Sequence, residues 1–149
     1  MDVTTEIYNA LEELGYFPQW NKNHGGVEFN YMLERVCCHY DSTLNYISVI
    51  MPNMYMTYAD CNKAIESVNS HNHIGRLVRL HKYCISAVSS FYIASQTDIK
   101  SQLAVAINDI RLMYESFFMN VITKIIKIIT LQMINKTERM RPSPPSSFF

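Results

Sequence analysis

Apolar residues at helical spacing open the chain and predict a short amphipathic first helix. Val3, Ile7, Leu11 and Leu14 recur every three or four residues, and glutamates stand among them at positions 6, 12 and 13. This spacing places the apolar side chains on one face of a helix. Gly15 follows at a position where helices commonly end, so the helix should finish just before it.

From Val27 onward the apolar residues recur with a period of two, which is typical of β-strands with one solvent-exposed face. The alternation slips near Leu33 and Glu34, which indicates a turn or bulge and hence a tight hairpin. The next segment, 44–51, is apolar at both parities, and this suits an interior strand that is covered on both sides. Pro52 should end that strand.

The pattern of helix and strands then continues. Thr57 followed by Asp60 resembles a capping box, and a second helix should follow it and end near His71. Two further strands should begin at Gly75 and turn near residues 82–84, because apolar and polar residues alternate on the far side of that turn.

A long third helix is predicted to begin at Thr97 and Asp98. Beyond them, apolar residues keep helical spacing for many turns. The predicted order is therefore helix, three strands, helix, two strands, helix, and the short connections favour antiparallel pairing. We predict the α+β class, with a twisted antiparallel sheet flanked by helices.

Past Val121 the apolar stripe of the third helix widens until it nearly encircles the helix. One small core cannot cover every side of such a helix. Burying one Ile or Leu side chain stabilises a protein by roughly 1.5–3 kcal/mol. Several such side chains exposed to solvent would therefore favour association with another surface. The candidate interface residues are Phe118, Ile122, Ile125, Ile126, Ile129 and Met133.

Three surfaces can cover this helix: a second copy of the chain, a different protein, or a membrane. The run 125–134 is well short of the roughly 20 residues that a membrane span needs, which disfavours a membrane. Exposed apolar surface on a soluble chain marks protein contacts, and twofold pairing is the commonest closed arrangement. We expect a homodimer; the alternative without a partner is a helix that folds back over its own sheet.

A single α+β domain should account for residues 1–135, with the long helix at its C-terminal end. Residues 136–149 are mostly polar residues and proline, with three Pro and three Ser, and they end in two phenylalanines. This composition cannot build a core. We predict that these residues form a flexible tail.

Charge and composition narrow the choice of partners and compartment. Thirteen basic residues balance thirteen acidic ones, so no global field attracts nucleic acid. The first residues lack a basic region followed by a long apolar segment, and we expect a cytoplasmic protein. The four cysteines, with Cys37 and Cys38 adjacent, match no paired pattern and should be reduced.

Candidate chemistry is sparse. His71 and His73 are the nearest approach to a metal site, but no second ligand pair stands at suitable spacing, and a histidine near a helix C-terminus has an ordinary role there. Cys37 and His39 share one face of a strand, yet no acid is evident to orient the histidine. We therefore predict no catalytic, cofactor-binding or metal-binding residues.

Several stretches, taken in order, resemble the YbjN family. They are LEELGY, VEFNYMLERVCCHYD, YISVIMPNM, ADCNKAIESVNSHNHIGRLVRL and AVSSFYIAS, within residues 1–118. The resemblance implies a fold like that of type III secretion chaperones, frequent dimerisation, and a regulatory role in bacterial sensory transduction without catalysis. Hairpins of that family tend to carry Gly or Asp at their turns, whereas this chain has Leu33–Glu34 and Lys82–Tyr83 there.

The resulting hypothesis is a noncatalytic protein-binding module, chaperone-like or regulatory, that acts as a homodimer. Its partner would bind the apolar helix or an exposed strand edge. Two alternatives stay open. One is a small metal-binding protein or enzyme that uses His71, His73 and a cysteine, and the other is a structural subunit of a larger assembly that buries the third helix permanently.

Overall fold

The computed structural model describes residues 2–23, 25–56, 61–71 and 74–142. The helices are α1 (Val3–Glu13), α2 (Asn62–Asn69) and α3 (Ile99–Met140). The strands are β1 (Gln19–Trp20), β2 (Val27–Tyr31), β3 (Glu34–Asp41), β4 (Tyr46–Met56), β5 (Arg76–His81) and β6 (Cys84–Tyr92).

The strands form one sheet in the order β1-β2-β3-β4-β6-β5, and every neighbouring pair is antiparallel. The predicted α+β class and antiparallel sheet are therefore confirmed. The order of elements agrees as well, except that β1 was not predicted. This two-residue strand lies at the sheet edge, where the Trp20 ring stacks on Tyr8 of α1 at a centroid distance of 4.9 Å.

Both predicted hairpins are present, and both turns lack glycine. Tyr31 pairs with Glu34, so Met32 and Leu33 form the first turn, one residue earlier than predicted. Both turn residues have positive φ, 54° and 64°, which is the combination that a two-residue type I′ turn needs. Lys82 lies in the second turn, as predicted.

All three helices cover the same face of the sheet. Helix α3 contacts β4 and β6, and it also contacts α1 and α2, which pack against β2, β3 and β5. The core lies between this helical layer and the sheet. Its fully buried residues include Val27, Val36, Ile47, Val49 and Ile85 from the sheet, and Leu103, Ile107, Ile110 and Met113 from α3.

Strand β4 does not end at Pro52, contrary to the prediction. The strand continues to Met56, and its register with β6 shifts after Met51. Pro52 lies within this irregularity, where a residue without an N–H group is tolerated. Its carbonyl oxygen accepts hydrogen bonds from the Cys84 thiol, at 3.2 Å, and from the Ser86 hydroxyl.

The two faces of β4 are also covered unequally. Ile47 and Val49 are fully buried against the helices. Tyr46, Ser48 and Ile50 point to the other face and are only half-buried, because the helices contact one face of the sheet. Strand β4 is an interior strand of the sheet, as predicted. The prediction that both of its faces are covered is wrong for the single chain.

A buried carboxylate fixes α3 to the beginning of β5. Asp109 is buried, and its carboxylate accepts a hydrogen bond of 2.7 Å from the backbone N–H of Gly75. At Gly75 a Cβ atom would lie 2.1 Å from the carbonyl oxygen of Val88, so only glycine allows this close approach. The residue that precedes β5 is therefore hydrogen-bonded to α3 and lies close to the backbone of β6.

One predicted boundary, the end of the third helix, is placed differently. Helix α3 continues to Met140, so residues 136–140 belong to the helix, although the sequence assigned them to the tail. Residues 143–149 lie outside the described residues, as does the proposed capping box at 57–60. Helix α2 follows Cys61, whose side chain makes no capping hydrogen bond.

Candidate functional site

Helix α3 has two halves with opposite environments. The proximal half, Ile99–Val121, contributes most of the helical side of the core. In the distal half, Ile122–Met140, every residue is exposed. At 1.5 Å per residue the distal half extends about 28 Å past the core.

The predicted interface residues form a stripe along the distal half. Five of them, which we call the distal stripe, are Ile122, Ile125, Ile126, Ile129 and Met133. Steps of three and four residues place these side chains on one side of the helix. Each of them is between 47% and 65% exposed, so the described chain leaves the whole stripe uncovered.

Phe118, the sixth predicted residue, has a different environment. It is half-buried, and its ring packs against Tyr55 at 5.3 Å, Tyr114 at 4.5 Å and Phe117 at 5.4 Å between centroids. Such aromatic pairs contribute beyond the area that they bury. Phe118 therefore joins the core to the base of the distal stripe.

A groove lies at the base of the distal half, beside the beginning of α2. Its volume is about 710 Å³. Tyr55, Ala64 and Val121 line it together with Ile125, which is also part of the distal stripe. The apolar surface of the stripe is therefore continuous with this groove.

Helix α3 also meets the length and composition of a membrane span. An 18-residue window within Ile99–Met140 has a mean hydropathy of 1.6, and 6% of that window is buried. The run 125–134 by itself is too short to span a membrane, but the complete helix of 42 residues is not. By length and composition, either a protein or a lipid bilayer could cover the distal half.

The β5 edge of the sheet is capped at one position, Leu77, by a side chain. The Asn69 amide accepts a hydrogen bond from the Leu77 N–H at 2.8 Å and donates one to the Leu77 carbonyl at 2.9 Å. Its amide thus takes the place of a neighbouring strand. Asn69 lies in the stretch ADCNKAIESVNSHNHIGRLVRL, one of those that resemble the YbjN family, but its role as an edge cap was not predicted.

The opposite edge is partly open. Strand β1 pairs only with Val27 and Glu28 of β2, and a cavity of about 340 Å³ lies beside the rest of β2. Phe17 lines this cavity and is 90% exposed. Leu33, in the adjacent turn, is completely exposed. The described chain therefore retains one strand edge with apolar side chains near it.

The cysteines of β3 lie in surroundings that disfavour a thiolate. Burial raises the pKa of the Cys37 thiol, and the nearby Glu28 carboxylate adds to this effect. Complete burial raises the pKa of Cys38 much further. His39 is exposed on the face opposite to Cys38, as strand alternation requires. Reactive cysteines need the reverse shift, so this arrangement does not activate a nucleophile.

His71 lies at the C-terminal end of α2. Its Nδ1 atom is 2.6 Å from the carbonyl oxygen of Ser67, a helix-terminal contact that histidine commonly makes. His73 lies outside the described residues. Among the residues that are described, no three histidine, cysteine or acidic side chains come together as a metal-ligand group.

Comparison with known proteins found no relative of this chain. No family model, no curated protein and no solved structure matches this chain. The similarity to the YbjN family therefore stays a prediction, and the geometry of the chain itself is the only guide to its function.

Proposed function

We propose that this chain is a noncatalytic protein-binding module, chaperone-like or regulatory, which acts as a homodimer through the distal stripe. The proposal includes a cytoplasmic location and membership of the YbjN-like regulators. It assigns the chain a protein partner, no nucleic acid and no cofactor.

The observation that carries the proposal is the exposure of the distal half of α3. Five large apolar side chains lie in one stripe, and each is about half exposed or more. Monomeric soluble proteins rarely keep a contiguous apolar surface of this kind, since covering each such side chain contributes on the order of 1 kcal/mol or more. A second copy carries an identical stripe, and a twofold axis satisfies both stripes at once.

The chemistry of the described residues supports a binding role over catalysis. The cysteines of β3 have raised pKa values, and His71 makes a helix-terminal contact. The rival function, a metal-binding protein or enzyme with His71 and His73, predicts stoichiometric zinc or iron in the purified protein. A structural subunit of a larger assembly predicts that the isolated chain forms no stable homodimer.

The test measures the mass of the full chain by light scattering during size-exclusion chromatography. We expect the unmodified chain to be a dimer at low micromolar concentration. Ile125→Glu combined with Ile129→Glu should give a folded monomer, because two carboxylates would then lie within the apolar contact. The matched control, Thr123→Glu with Thr130→Glu, adds the same charges off the stripe and should stay dimeric.

Other results would reject the proposal. An unmodified chain that is monomeric in solution and sediments with lipid vesicles, while the Ile125→Glu and Ile129→Glu variant does not, would assign the stripe to a membrane. An unchanged dimer mass in that variant would place the dimer contact elsewhere on the molecule.

A further inference from the structure

The distal stripe and two charges beside it are spaced symmetrically along α3. The series is Glu115, Phe118, Ile122, Ile125, Ile126, Ile129, Met133 and Lys136. The steps between these residues are three, four, three, one, three, four and three. The series therefore has the same spacing when it is read in either direction from the midpoint between Ile125 and Ile126.

These residues also share one side of a continuous helix. Helix α3 runs without interruption from Ile99 to Met140, and steps of three and four residues keep side chains on one face. Glu115 is exposed and forms an ion pair with Arg111 at 3.0 Å, on the helix itself, and Phe118 is half-buried. The side of α3 that carries the series is therefore open from Glu115 to Lys136 except for the part of Phe118 that packs on Tyr55.

We infer that two copies of this chain pair their α3 helices antiparallel, about a twofold axis between Ile125 and Ile126. The inference rests on the proposed homodimer and specifies its orientation and register. In this register Ile122 lies opposite the partner's Ile129, and Phe118 lies opposite the partner's Met133. Each apolar residue of the stripe thus meets an apolar residue, which is what an isologous contact requires.

The flanking charges select the antiparallel orientation. In the inferred register Glu115 lies opposite the partner's Lys136, and the symmetry repeats this pair at the other end. Parallel helices in register would instead place glutamate against glutamate and lysine against lysine. Complementary charges at an interface fix orientation more than they add affinity, and like charges disfavour the wrong arrangement.

The distribution of charge along the chain favours the same orientation. The residues after Phe118 carry Lys124, Lys127, Lys136, Arg139 and Arg141 against Glu138 alone. Because the whole chain has equal numbers of basic and acidic residues, the remainder has an acidic excess. Antiparallel pairing brings each basic helix end toward the acidic body of the other copy, whereas parallel pairing brings the two basic ends together.

The first test is a charge exchange within the dimer. Glu115→Lys alone and Lys136→Glu alone each replace two opposite-charge pairs by like-charge pairs. Each should weaken the dimer about tenfold in low salt by sedimentation equilibrium. The double variant restores opposite charges and should return to within about threefold of the unmodified dimer. Lys124→Glu, on the far side of the helix, is the control and should change the dissociation constant little.

The second test measures orientation directly. A nitroxide label on Met140→Cys, with Cys37→Ser and Cys61→Ser to remove the half-exposed thiols, reports the distance between the two helix ends. Antiparallel pairing in this register predicts a separation of about 44 Å along the axis, whereas parallel pairing predicts less than about 20 Å.

The outcomes separate the two proposals. A dimer with the short distance, or a double charge exchange that does not restore affinity, overturns the antiparallel inference and leaves the proposed homodimer intact. A monomeric unmodified chain overturns the proposed function and this inference together. The long distance combined with restored affinity supports both.

Discussion

The proximal and distal halves of α3 both carry apolar residues at helical spacing, but they have opposite environments. In the proximal half Leu103, Ile107 and Ile110 are completely buried against the sheet. In the distal half Ile125 and Ile129, at the same helical spacing, are about half exposed. The difference lies in what covers each half, since the last buried residue of α3 is Phe117, which packs on Tyr55 near the end of β4. An apolar stripe on a helix thus specifies that something covers it, but not whether the cover belongs to the same chain.

The largest effect should separate the two halves by stability. Ile110→Ala should lower the free energy of unfolding by about 3 kcal/mol, because it removes buried methyl groups and leaves a cavity. Ile126→Ala, in the monomeric Ile125→Glu and Ile129→Glu background, should lower it by less than about 1 kcal/mol. Urea unfolding measures both, and equal losses would mean that the distal half packs on its own core.

A smaller effect should show how the proximal half is fixed to the sheet. Asp109→Ala leaves the part-buried Gly75 N–H without its Asp109 acceptor and should lower the free energy of unfolding by about 2 kcal/mol. Asn108→Ala, one residue away on the exposed side, should change it by less than about 0.5 kcal/mol. Hydrogen exchange of the β5 amides should rise in the first variant only. The role of Asp109 as an anchor would be rejected by unaltered exchange there.

The smallest effect concerns the beginning of the proximal half. Hydrogen bonds from the Ser101 hydroxyl and backbone N–H hold the pKa of Asp98 below its ordinary value of 3.8. A lowered pKa in the folded state stabilises the fold above pH 3.8, and this contribution is lost as the pH falls through the folded-state pKa. We expect the difference in melting temperature between the unmodified chain and Asp98→Asn to shrink between pH 6 and pH 2. A difference that is constant over this range would contradict the assignment.

Much of the fold could be predicted because long apolar series leave few alternatives. The periods of two and of three to four residues placed β2, β3, β6 and α1 correctly, and they placed α3 correctly except for its C-terminal end. Strand β1 was missed because two residues carry no period. The continuation of β4 through Pro52 was missed because a bulge accommodates proline, and the rule that proline ends a strand assumes a regular ladder.

The candidate site was only partly predictable from the sequence. The distal stripe follows from spacing and composition alone. The sequence did not reveal that Phe118 packs with Tyr55, because that contact joins residues far apart in the chain. The role of Asn69 at the β5 edge was hidden for the same reason, and asparagine near a helix end has many ordinary roles.

The Asn69 cap on β5 has a consequence for assembly at high concentration. Chains that join by strand-to-strand contact can build a filament only when each molecule offers two free edges. In the described part of this chain the Leu77 backbone is already occupied, so an added strand could not form a full ladder along β5, and the β2 side is the more open edge. Contact through that side alone would join two molecules and then stop, which would limit ordered aggregation of a chain with many exposed isoleucines.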